Sequence, residues 1–261
     1  MACAGRGGKI KSIVNNFILK TFANIEPLSQ WAAEKIIESS REALLKRGRF
    51  LFALNGGGTP RRLFELLGSD FRGQMDWDKI HIFWGDERCV PPDDKESNYG
   101  QAREMFLNRV DIPEPNIHRV KAELEPAEAA KDYSQTLKRF ASPPLEWPRF
   151  DLVLLGMGED GHTASLFPGS SVDDTEPVLA VTGHYQGRPA NRVTLTPRVL
   201  NSARTILFMV AGASKAETLS RVLGRERNPK QLPAQRIDPK DGEVIWLTDE
   251  AAAGKLSKEI S

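Results

Sequence analysis

The chain has 261 residues, of which 40% are hydrophobic and 27% charged, a composition typical of a folded globular protein and not of a disordered one. Its formal net charge of +1 argues against a general nucleic-acid-binding protein, and no apolar run reaches the ~20 residues that a membrane-spanning helix needs. Two cysteines, Cys3 and Cys89, are too few for a disulfide framework or a zinc site, and they favour a reducing compartment.

The N-terminal region is basic and poor in acidic residues. Its first acidic residue is Glu26, which four basic residues precede. Organelle transit peptides share this pattern, but a flexible leader over residues 1–9 is the simpler interpretation. We therefore expect a cytoplasmic protein in which residues 10–261 form a single α/β domain.

Short apolar runs between turn residues predict strands, and apolar residues spaced by three and four predict helices. In chain order, the predicted elements are strand 10–15, helix 28–47, strand 50–54, helix 61–67, strand 80–84, helix 98–107, helix 126–140, strands 151–155, 178–182, 192–195 and 205–211, helix 213–223, and strand 243–247 before a short alanine-rich helix.

Local signals set several of the predicted boundaries. Gly48 is placed to end the first helix, because glycine readily takes the left-handed conformation at a helix C-terminus. Thr59 is a favourable N-cap, and Pro60 suits the first position of the helix that follows it. Ser97 is expected to cap a helix, and residues 141–148, which include three prolines, to form a loop.

Strands alternate with helices along the whole chain. This alternation predicts the α/β class, with a mainly parallel central sheet covered by helices on both faces. We find no internal repeat and no domain boundary. Ligands of such sheets bind beside the carboxyl ends of the strands, and three loops placed there carry the candidate chemistry.

The first loop, residues 55–59, reads N-G-G-G-T and leads from a strand into a helix. Such a turn offers free N–H groups and the positive end of a helix dipole to an anion. The loop lacks the G-K-[ST] ending of a nucleotide-binding P-loop. We therefore expect Gly57, Gly58 and Thr59 to bind the phosphate of a small sugar phosphate, with an ordinary glycine-rich turn as the alternative.

The second loop follows the strand at 80–84 and reads G-D-E-R. Arg88 is suited to bidentate hydrogen bonds with a phosphate. Asp86 is suited to accept hydrogen bonds from sugar hydroxyls or to orient Arg88. A surface salt bridge is the alternative interpretation of both residues.

The third loop follows the strand at 151–155 and reads G-M-G-E-D-G-H. Its glycines fit the G-x-G-x-x-G pattern of dinucleotide-binding proteins, but Pro168 and Gly169 end the next segment before a crossover helix can form. We therefore expect no dinucleotide cofactor. Asp160 and His162 stand at the end of this turn, and His162 is the first candidate catalytic residue, with a structural histidine as the alternative.

The residues of these loops carry a family resemblance. The segments N-G-G-G-T-P, W-G-D-E-R-x-V-P with a following S-N-Y, and G-M-G-E-D-G-H-T-A-S-L-F-P resemble, in this order, the 6-phosphogluconolactonases of the pentose phosphate pathway. The later R-V-T-L-T, G-A-S-K-A-E-T-L and L-P-A-Q segments extend the resemblance. It runs from about Glu26 to near the C-terminus and implies the Rossmann-like α/β fold that these enzymes share with the glucosamine-6-phosphate deaminases.

The resemblance implies hydrolysis of 6-phospho-D-glucono-1,5-lactone to 6-phospho-D-gluconate without a metal ion. We hypothesise that His162 is the general base that takes a proton from the attacking water, and that Asp160 holds the imidazole tautomer or binds sugar hydroxyls. Backbone amides within residues 156–161 are candidates to stabilise the oxyanion. The implied phosphate ligands are Gly57, Gly58, Thr59, Arg88 and Lys215, with Arg192 as a further basic candidate.

Two alternative functions stay open. The related deaminases typically read D-G-H-I-A-F-N-E-P where this chain has D-G-H-T-A-S-L-F-P, so that Phe167 replaces a glutamate that the ring-opening isomerisation needs. Sugar-phosphate-sensing regulators of this fold carry a DNA-binding helical extension, for which the short leader leaves no room. The expected partner is therefore the lactone substrate, without nucleic acid, membrane, metal or cofactor, and the expected assembly is a monomer or a weak homo-oligomer.

Overall fold

The computed structural model describes residues 9–11, 17–170 and 175–257. Ten strands lie within these ranges: β1 (Lys9–Lys11), β2 (Phe17–Phe22), β3 (Phe50–Leu54), β4 (Ile80–Trp84), β5 (Asp86–Arg88), β6 (Leu152–Gly156), β7 (Val178–Thr182), β8 (Asn191–Leu195), β9 (Thr205–Val210) and β10 (Glu243–Asp249).

Seven of these strands form the central sheet, in the order β1-β2-β10-β9-β6-β3-β4. Every neighbouring pair is parallel except β1–β2 at one edge, which is antiparallel. The central strands β3 and β6 carry no polar side chain, and all five residues of β3 are buried, as expected for a sheet covered on both faces. The predicted class, a mainly parallel Rossmann-like α/β fold, is confirmed.

The helices follow the predicted alternation. Asn24 caps the first helix by accepting a hydrogen bond from Glu26 N at 3.0 Å, and Gly48 ends it with a φ of 71°. Ser97 caps the third helix through a bond from Gly100 N. The α-helices are α1 (Ile25–Arg47), α2 (Arg61–Leu67), α3 (Asn98–Met105), α4 (Pro126–Lys138), α5 (Pro197–Leu200), α6 (Ala216–Val222) and α7 (Glu250–Ala253).

The connections divide the helices between the two faces of the sheet. The crossovers through α1 and α2 lead from β2 to β3 and on to β4, whereas the later crossovers lead back from β6 to β9 and β10. Because parallel crossovers are right-handed, opposite directions of travel place their helices on opposite faces. The direction reverses between β3 and β6, so the crevice between the carboxyl ends of these two strands is the expected ligand site.

The start of the chain corrects the predicted strand at 10–15. Residues 12–16 lie outside the described residues, as do residues 1–8 of the predicted leader, and residues 10 and 11 belong to β1. The strand that joins the parallel sheet is β2, which pairs with β10. Its sequence, F-I-L-K-T-F, buries only Leu19 and Phe22 fully, so the polar residues between them hide the strand signal.

Other features also differ from the prediction. Pro60, not Thr59, occupies the cap position of α2, and no side chain caps that helix. The predicted helix over 213–223 begins as the 3₁₀ turn Ala213–Lys215 before α6. The strands β7 and β8 form with β5 a separate antiparallel sheet of order β5-β8-β7, which alternation alone did not predict.

None of the helices in the described ranges is long and apolar enough to cross a membrane.

Candidate active site

A cleft of about 150 Å³ opens at the carboxyl edge of the central sheet, where β3 and β6 end. The predicted site residues of the three loops line it except Asp160, which contacts His162. The lining residues are Asn55 to Pro60, Asp86, Arg88, Asn98, Gly156, Met157, Gly158, His162, Ala164, Tyr185, Gln186, Arg188, Arg192 and Lys215.

The glycine-rich loop after β3 exposes its backbone to the cleft. Gly57 has a φ of 104°, a left-handed conformation that glycine adopts without steric cost, and a Cβ at Gly57 or Gly58 would meet no atom within 4 Å. The loop packs closely on the other side, where a Cβ at Gly56 would lie 1.8 Å from Asn98 Oδ1. The cleft side therefore presents backbone rather than side chains, an arrangement suited to an anionic ligand.

The turn after β6 brings His162 and Asp160 together. His162 Nδ1 lies 2.6 Å from Asp160 Oδ1, and the backbone N–H of His162 donates to the same oxygen at 3.1 Å. Gly158 makes room for this contact, because a Cβ there would lie 2.1 Å from His162 Nδ1. Gly161 adopts a φ of 87°, which allows the chain to turn between the two residues.

The charge of Asp160 fixes which ring nitrogen faces the cleft as a base. Burial raises the pKa of this carboxyl, but its hydrogen bonds with His162 and the charge of His162 outweigh burial and hold the pKa below its ordinary value. Ionised Asp160 only accepts hydrogen bonds, so the proton between the two groups resides on Nδ1 of His162. In the tautomer that carries only this proton, Nε2 has the free lone pair.

Two amides of the turn are already used. Gly158 N donates to His162 O at 2.8 Å, and Gly161 N donates to Gly158 O at 3.1 Å. These bonds stabilise the turn that holds the imidazole. These two amides are therefore not free to stabilise an oxyanion, and an oxyanion role for other amides of residues 156–161 stays a prediction.

Aromatic rings enclose the imidazole. The Tyr185 ring meets the His162 ring edge-on with centroids 4.5 Å apart, and the Phe167 ring lies at 4.9 Å. The Tyr185 hydroxyl accepts a hydrogen bond from Glu159 N at 3.2 Å. Tyr185 was not predicted, because it lies in the β7–β8 connection, whose sequence shows no motif.

Asp86 is buried and firmly held. Its Oδ2 accepts a hydrogen bond from Ser165 Oγ at 2.6 Å, and its Oδ1 accepts one from Asn98 Nδ2 at 3.2 Å. The predicted alternative that Asp86 orients Arg88 is not supported, because Arg88 Nη1 donates to the backbone oxygen of Glu96 at 2.5 Å. Asp86 instead presents a fixed carboxylate to the cleft.

Arg88 and Arg192 stand directly opposite each other on β5 and β8. Both are buried, with 6% and 3% of their surface exposed. Directly opposed residues share one face of a sheet, and like charges there destabilise the pair. Arg88 Nε and Arg192 Nη2 also have no hydrogen-bond partner among the described residues. Buried cationic donors without partners are a strong indication of an anionic ligand.

Further cations line the same cleft. Arg188, which was not predicted, donates to Glu96 Oε2 at 3.1 Å, and this carboxylate lies 3.8 Å from Arg88 Nη1. Burial lowers the pKa of Lys215, while the charges of Glu159 and Asp160 raise it. Lys215 and the three arginines line the same cleft.

Glu87 holds this arrangement from behind. Its carboxyl is fully buried and accepts hydrogen bonds from the backbone N–H groups of Arg88, Asn98 and Tyr99, which fixes β5 against the start of α3. Burial raises its pKa to about 7 despite these bonds. Burial and the Glu87 charge likewise raise the pKa of Cys89 to about 11, so this thiol is not activated.

Several cleft residues escaped prediction because their signal is spatial. Asn55 and Asn98 each have a buried Oδ1 without a hydrogen-bond partner in the described part of the chain. Asn98 belongs to the S-N-Y segment, and that motif was its one available signal.

Nowhere among residues 9–11, 17–170 and 175–257 do three or more His, Cys, Asp or Glu side chains cluster in a way that could hold a metal ion.

Comparison with known proteins gives consistent matches. The family model described as glucosamine-6-phosphate isomerases/6-phosphogluconolactonase matches residues 23–246. The 6-phosphogluconolactonase of Nostoc sp. is 44% identical over 217 residues, which is 82% of this chain and 88% of that protein.

Solved structures match over nearly the whole chain. A crystal structure of a devB protein is 35% identical with a TM-score of 0.82, covering 92% of this chain and 99% of its own. The 6-phosphogluconolactonase from Trypanosoma cruzi is 27% identical with a TM-score of 0.80, covering 92% and 96%.

Proposed function

The chain belongs to the family of glucosamine-6-phosphate isomerases and 6-phosphogluconolactonases, and from this membership and the cleft we propose that it hydrolyses 6-phospho-D-glucono-1,5-lactone to 6-phospho-D-gluconate. This reaction is the second step of the oxidative pentose phosphate pathway. The observation that carries the proposal is that one cleft combines a histidine with two buried arginines, Arg88 and Arg192, each of which has a guanidinium nitrogen without a hydrogen-bond partner in the described chain.

We assign the proton transfer to His162. Water attacks the lactone carbonyl carbon C1, and His162 Nε2 takes one of its protons as the C–O bond forms. The tetrahedral intermediate then collapses, the bond from C1 to the ring oxygen breaks, and the ring oxygen receives the proton that His162 Nε2 had accepted, which returns the imidazole to its starting state. The new carboxylic acid releases its own proton to water. A positioned general base contributes about 10²–10⁴-fold to such a step.

Asp160 supports this assignment through its contact with Nδ1 at 2.6 Å. Its carboxylate holds the neutral imidazole in the tautomer that leaves Nε2 unprotonated. It also stabilises the imidazolium that forms when His162 has accepted the proton. Asp160 thereby acts as a positioning residue, which is the first of the two roles that the sequence left open.

We assign the 6-phosphate to the cationic side of the cleft. Arg88 and Arg192 are buried register partners with an unpartnered nitrogen each, and guanidinium groups bind phosphate oxygens in bidentate geometry. Gly57, Gly58, Thr59 and Lys215 line the same cleft. Asp86 remains for the sugar hydroxyls, since its carboxylate is fixed by Ser165 and Asn98.

The two alternative functions have less support. The position of the deaminase glutamate is occupied by Phe167, which is buried against His162 and cannot carry a carboxylate's chemistry. A sensor without catalytic activity has no need for the paired Asp160 and His162 beside the phosphate ligands.

Acid release from freshly prepared 6-phosphogluconolactone, corrected for spontaneous hydrolysis, tests the proposal. Rapid turnover is the expected result. Tight binding of 6-phosphogluconate without turnover would favour the sensor. Ammonia release from glucosamine 6-phosphate would favour the deaminase.

We further propose that the enzyme works in the cytoplasm and that residues 10–261 form one catalytic domain, since the cleft takes residues from both sheets. We propose a monomer or weak homo-oligomer, because Leu45 and Leu124 are the large exposed hydrophobic residues of the described chain and form no extended patch by themselves. Light scattering coupled to gel filtration would measure the assembly.

A further inference from the structure

A second group of cations lies at the amino edge of the central sheet, opposite the cleft. The neighbouring strands β3, β6 and β9 begin directly after Arg49, Asp151 and Arg204. Arg47 at the end of α1 and Arg149 before β6 complete the group. We call these four arginines and Asp151 the amino-edge cluster.

Asp151 is the one carboxylate within the cluster. Its Oδ1 lies 2.7 Å from Arg47 Nε and 3.4 Å from Arg204 Nε, and its Oδ2 accepts a hydrogen bond from Leu51 N at 2.8 Å. The side chain is 4% exposed. Asp151 thus anchors two guanidinium groups at the rim of a cavity.

The other two arginines have no carboxylate partner in the described part of the chain. Arg149 donates from Nη2 to the backbone oxygen of Asp241 at 2.9 Å, and its buried Nε has no hydrogen-bond partner. Arg49 lies over the Phe140 ring, 5.6 Å from its centroid. Burial, and then the charges of Arg47 and Arg149, lower the pKa of Arg204, as uncompensated positive charge would do.

The cluster surrounds a cavity of about 300 Å³. A water molecule occupies about 30 Å³ of liquid volume, so the cavity has room for a tetrahedral oxyanion. A groove of about 600 Å³ continues from it, sharing Arg149 and Arg204 and running past Pro143, Pro144 and Leu145. This groove has the mixed polar and apolar lining that the organic part of a ligand requires.

We propose that the amino-edge cluster binds the phosphate group of a small phosphate ester, whose organic part lies in the adjoining groove. Planar guanidinium groups bind phosphate oxygens in bidentate geometry, and three excess positive charges match a phosphate dianion better than a carboxylate. The five residues of β6 separate this site from the histidine turn by roughly 17 Å at 3.3 Å per residue. The site is therefore independent of the cleft and of the proposed lactonase function.

Nuclear magnetic resonance of the arginine Nε–Hε groups tests the proposal, because the assigned signals of Arg149 and Arg204 report on this edge alone. Inorganic phosphate and glycerol 2-phosphate are titrated into the full chain, with sodium chloride at equal ionic strength as the reference. We expect saturable shifts with both phosphates, tighter binding of the ester, and no comparable shift with chloride. The double variant Arg49→Gln, Arg149→Gln should bind at least tenfold more weakly, while Arg109→Gln should bind normally.

The double variant leaves the pairing of Asp151 with Arg47 and Arg204 intact, and its circular dichroism spectrum checks that it folds. Shifts that chloride reproduces, or an affinity that the double variant retains, would overturn the site. Equal affinity for inorganic phosphate and for the ester would overturn the ester and identify free phosphate as the ligand.

Discussion

Nδ1 of His162 and Oδ1 of Asp160 lie 2.6 Å apart within one tight turn. One residue, Gly161, separates them in the chain, so the turn that follows β6 brings the two side chains together. His162 lines the cleft that also holds Arg88 and Arg192.

Replacement of Asp160 by asparagine tests the role of this contact. An amide cannot stabilise the imidazolium and no longer selects the Nδ1–H tautomer, so we expect kcat to fall by about 10² or more with little change in KM. Steady-state kinetics measure both constants. Asp111→Asn, at an exposed position remote from the cleft, is the matched control. A kcat close to that of the unmodified enzyme would remove Asp160 from the mechanism.

Gly158→Ala tests whether the position of the imidazole matters. The added Cβ would lie 2.1 Å from His162 Nδ1 and 2.5 Å from Asp160 Oδ1, so one of the two side chains must move. A displacement of about 1 Å at a catalytic group costs on the order of 10²-fold in rate. Gly73→Ala, where a Cβ meets nothing within 4 Å, is the control. Unchanged kcat for Gly158→Ala would show that the turn tolerates a looser geometry.

Arg88→Gln tests the phosphate assignment. Loss of a hydrogen bond to a charged group costs about 1.5–3 kcal/mol, so KM for the phosphorylated lactone should rise roughly 10- to 100-fold. KM for unphosphorylated gluconolactone should change little, because that substrate makes no use of the guanidinium. Arg109→Gln controls for the loss of one positive charge. An equal rise for both lactones would argue against a phosphate role.

The half-buried histidine pair His81 and His118 predicts how stability depends on pH. Their rings stack, with Nδ1 of His81 3.1 Å from Nε2 of His118, and burial followed by the charge of His81 lowers the pKa of His118 to about 4. As pH falls from about 6.5 to about 4, His118 therefore binds a proton in the unfolded chain but not in the folded chain. The contribution of His118 to the free energy of unfolding is therefore fully present above this pH window and is lost as pH falls through it.

Urea unfolding of the wild type and of His118→Phe across this window isolates the effect. Glu87 acts with the opposite sign, because its raised pKa makes the folded chain lose stability as pH rises towards about 7. The difference between the two proteins cancels the Glu87 contribution. We expect the wild type to lose stability relative to His118→Phe as pH falls, and parallel profiles would contradict the assignment.

The sequence predicted most of the central sheet because its strands are short apolar runs bounded by glycine, proline and asparagine. β3 and β4 were predicted with their observed bounds. β2, which lies between β1 and β10, was missed because Lys20 and Thr21 interrupt its apolar pattern. The second sheet was missed because β5 pairs with a strand about a hundred residues away, and no local signal specifies such a pairing.

The site likewise contains residues that local motifs predict and residues that only long-range pairing brings to it. The glycine loops, Arg88 and the histidine turn stand in motifs, because their chemistry requires specific residues at short spacing. Arg188 and Tyr185 reach the cleft only through the antiparallel pairing of β7 with β8, which aligns their connection over the histidine turn. That alignment depends on long-range packing, so the part of the cleft that Tyr185 and Arg188 line was not predictable from local sequence.

The most direct test of the central claim is the rate of acid release from 6-phosphogluconolactone by His162→Asn. Asparagine cannot accept a proton from water, so we expect kcat to fall by about 10²–10⁴-fold, with binding of 6-phosphogluconate and the melting temperature retained. His184→Asn, at an exposed position outside the cleft lining, controls for loss of an imidazole. Turnover by His162→Asn at a near-normal rate would contradict the account.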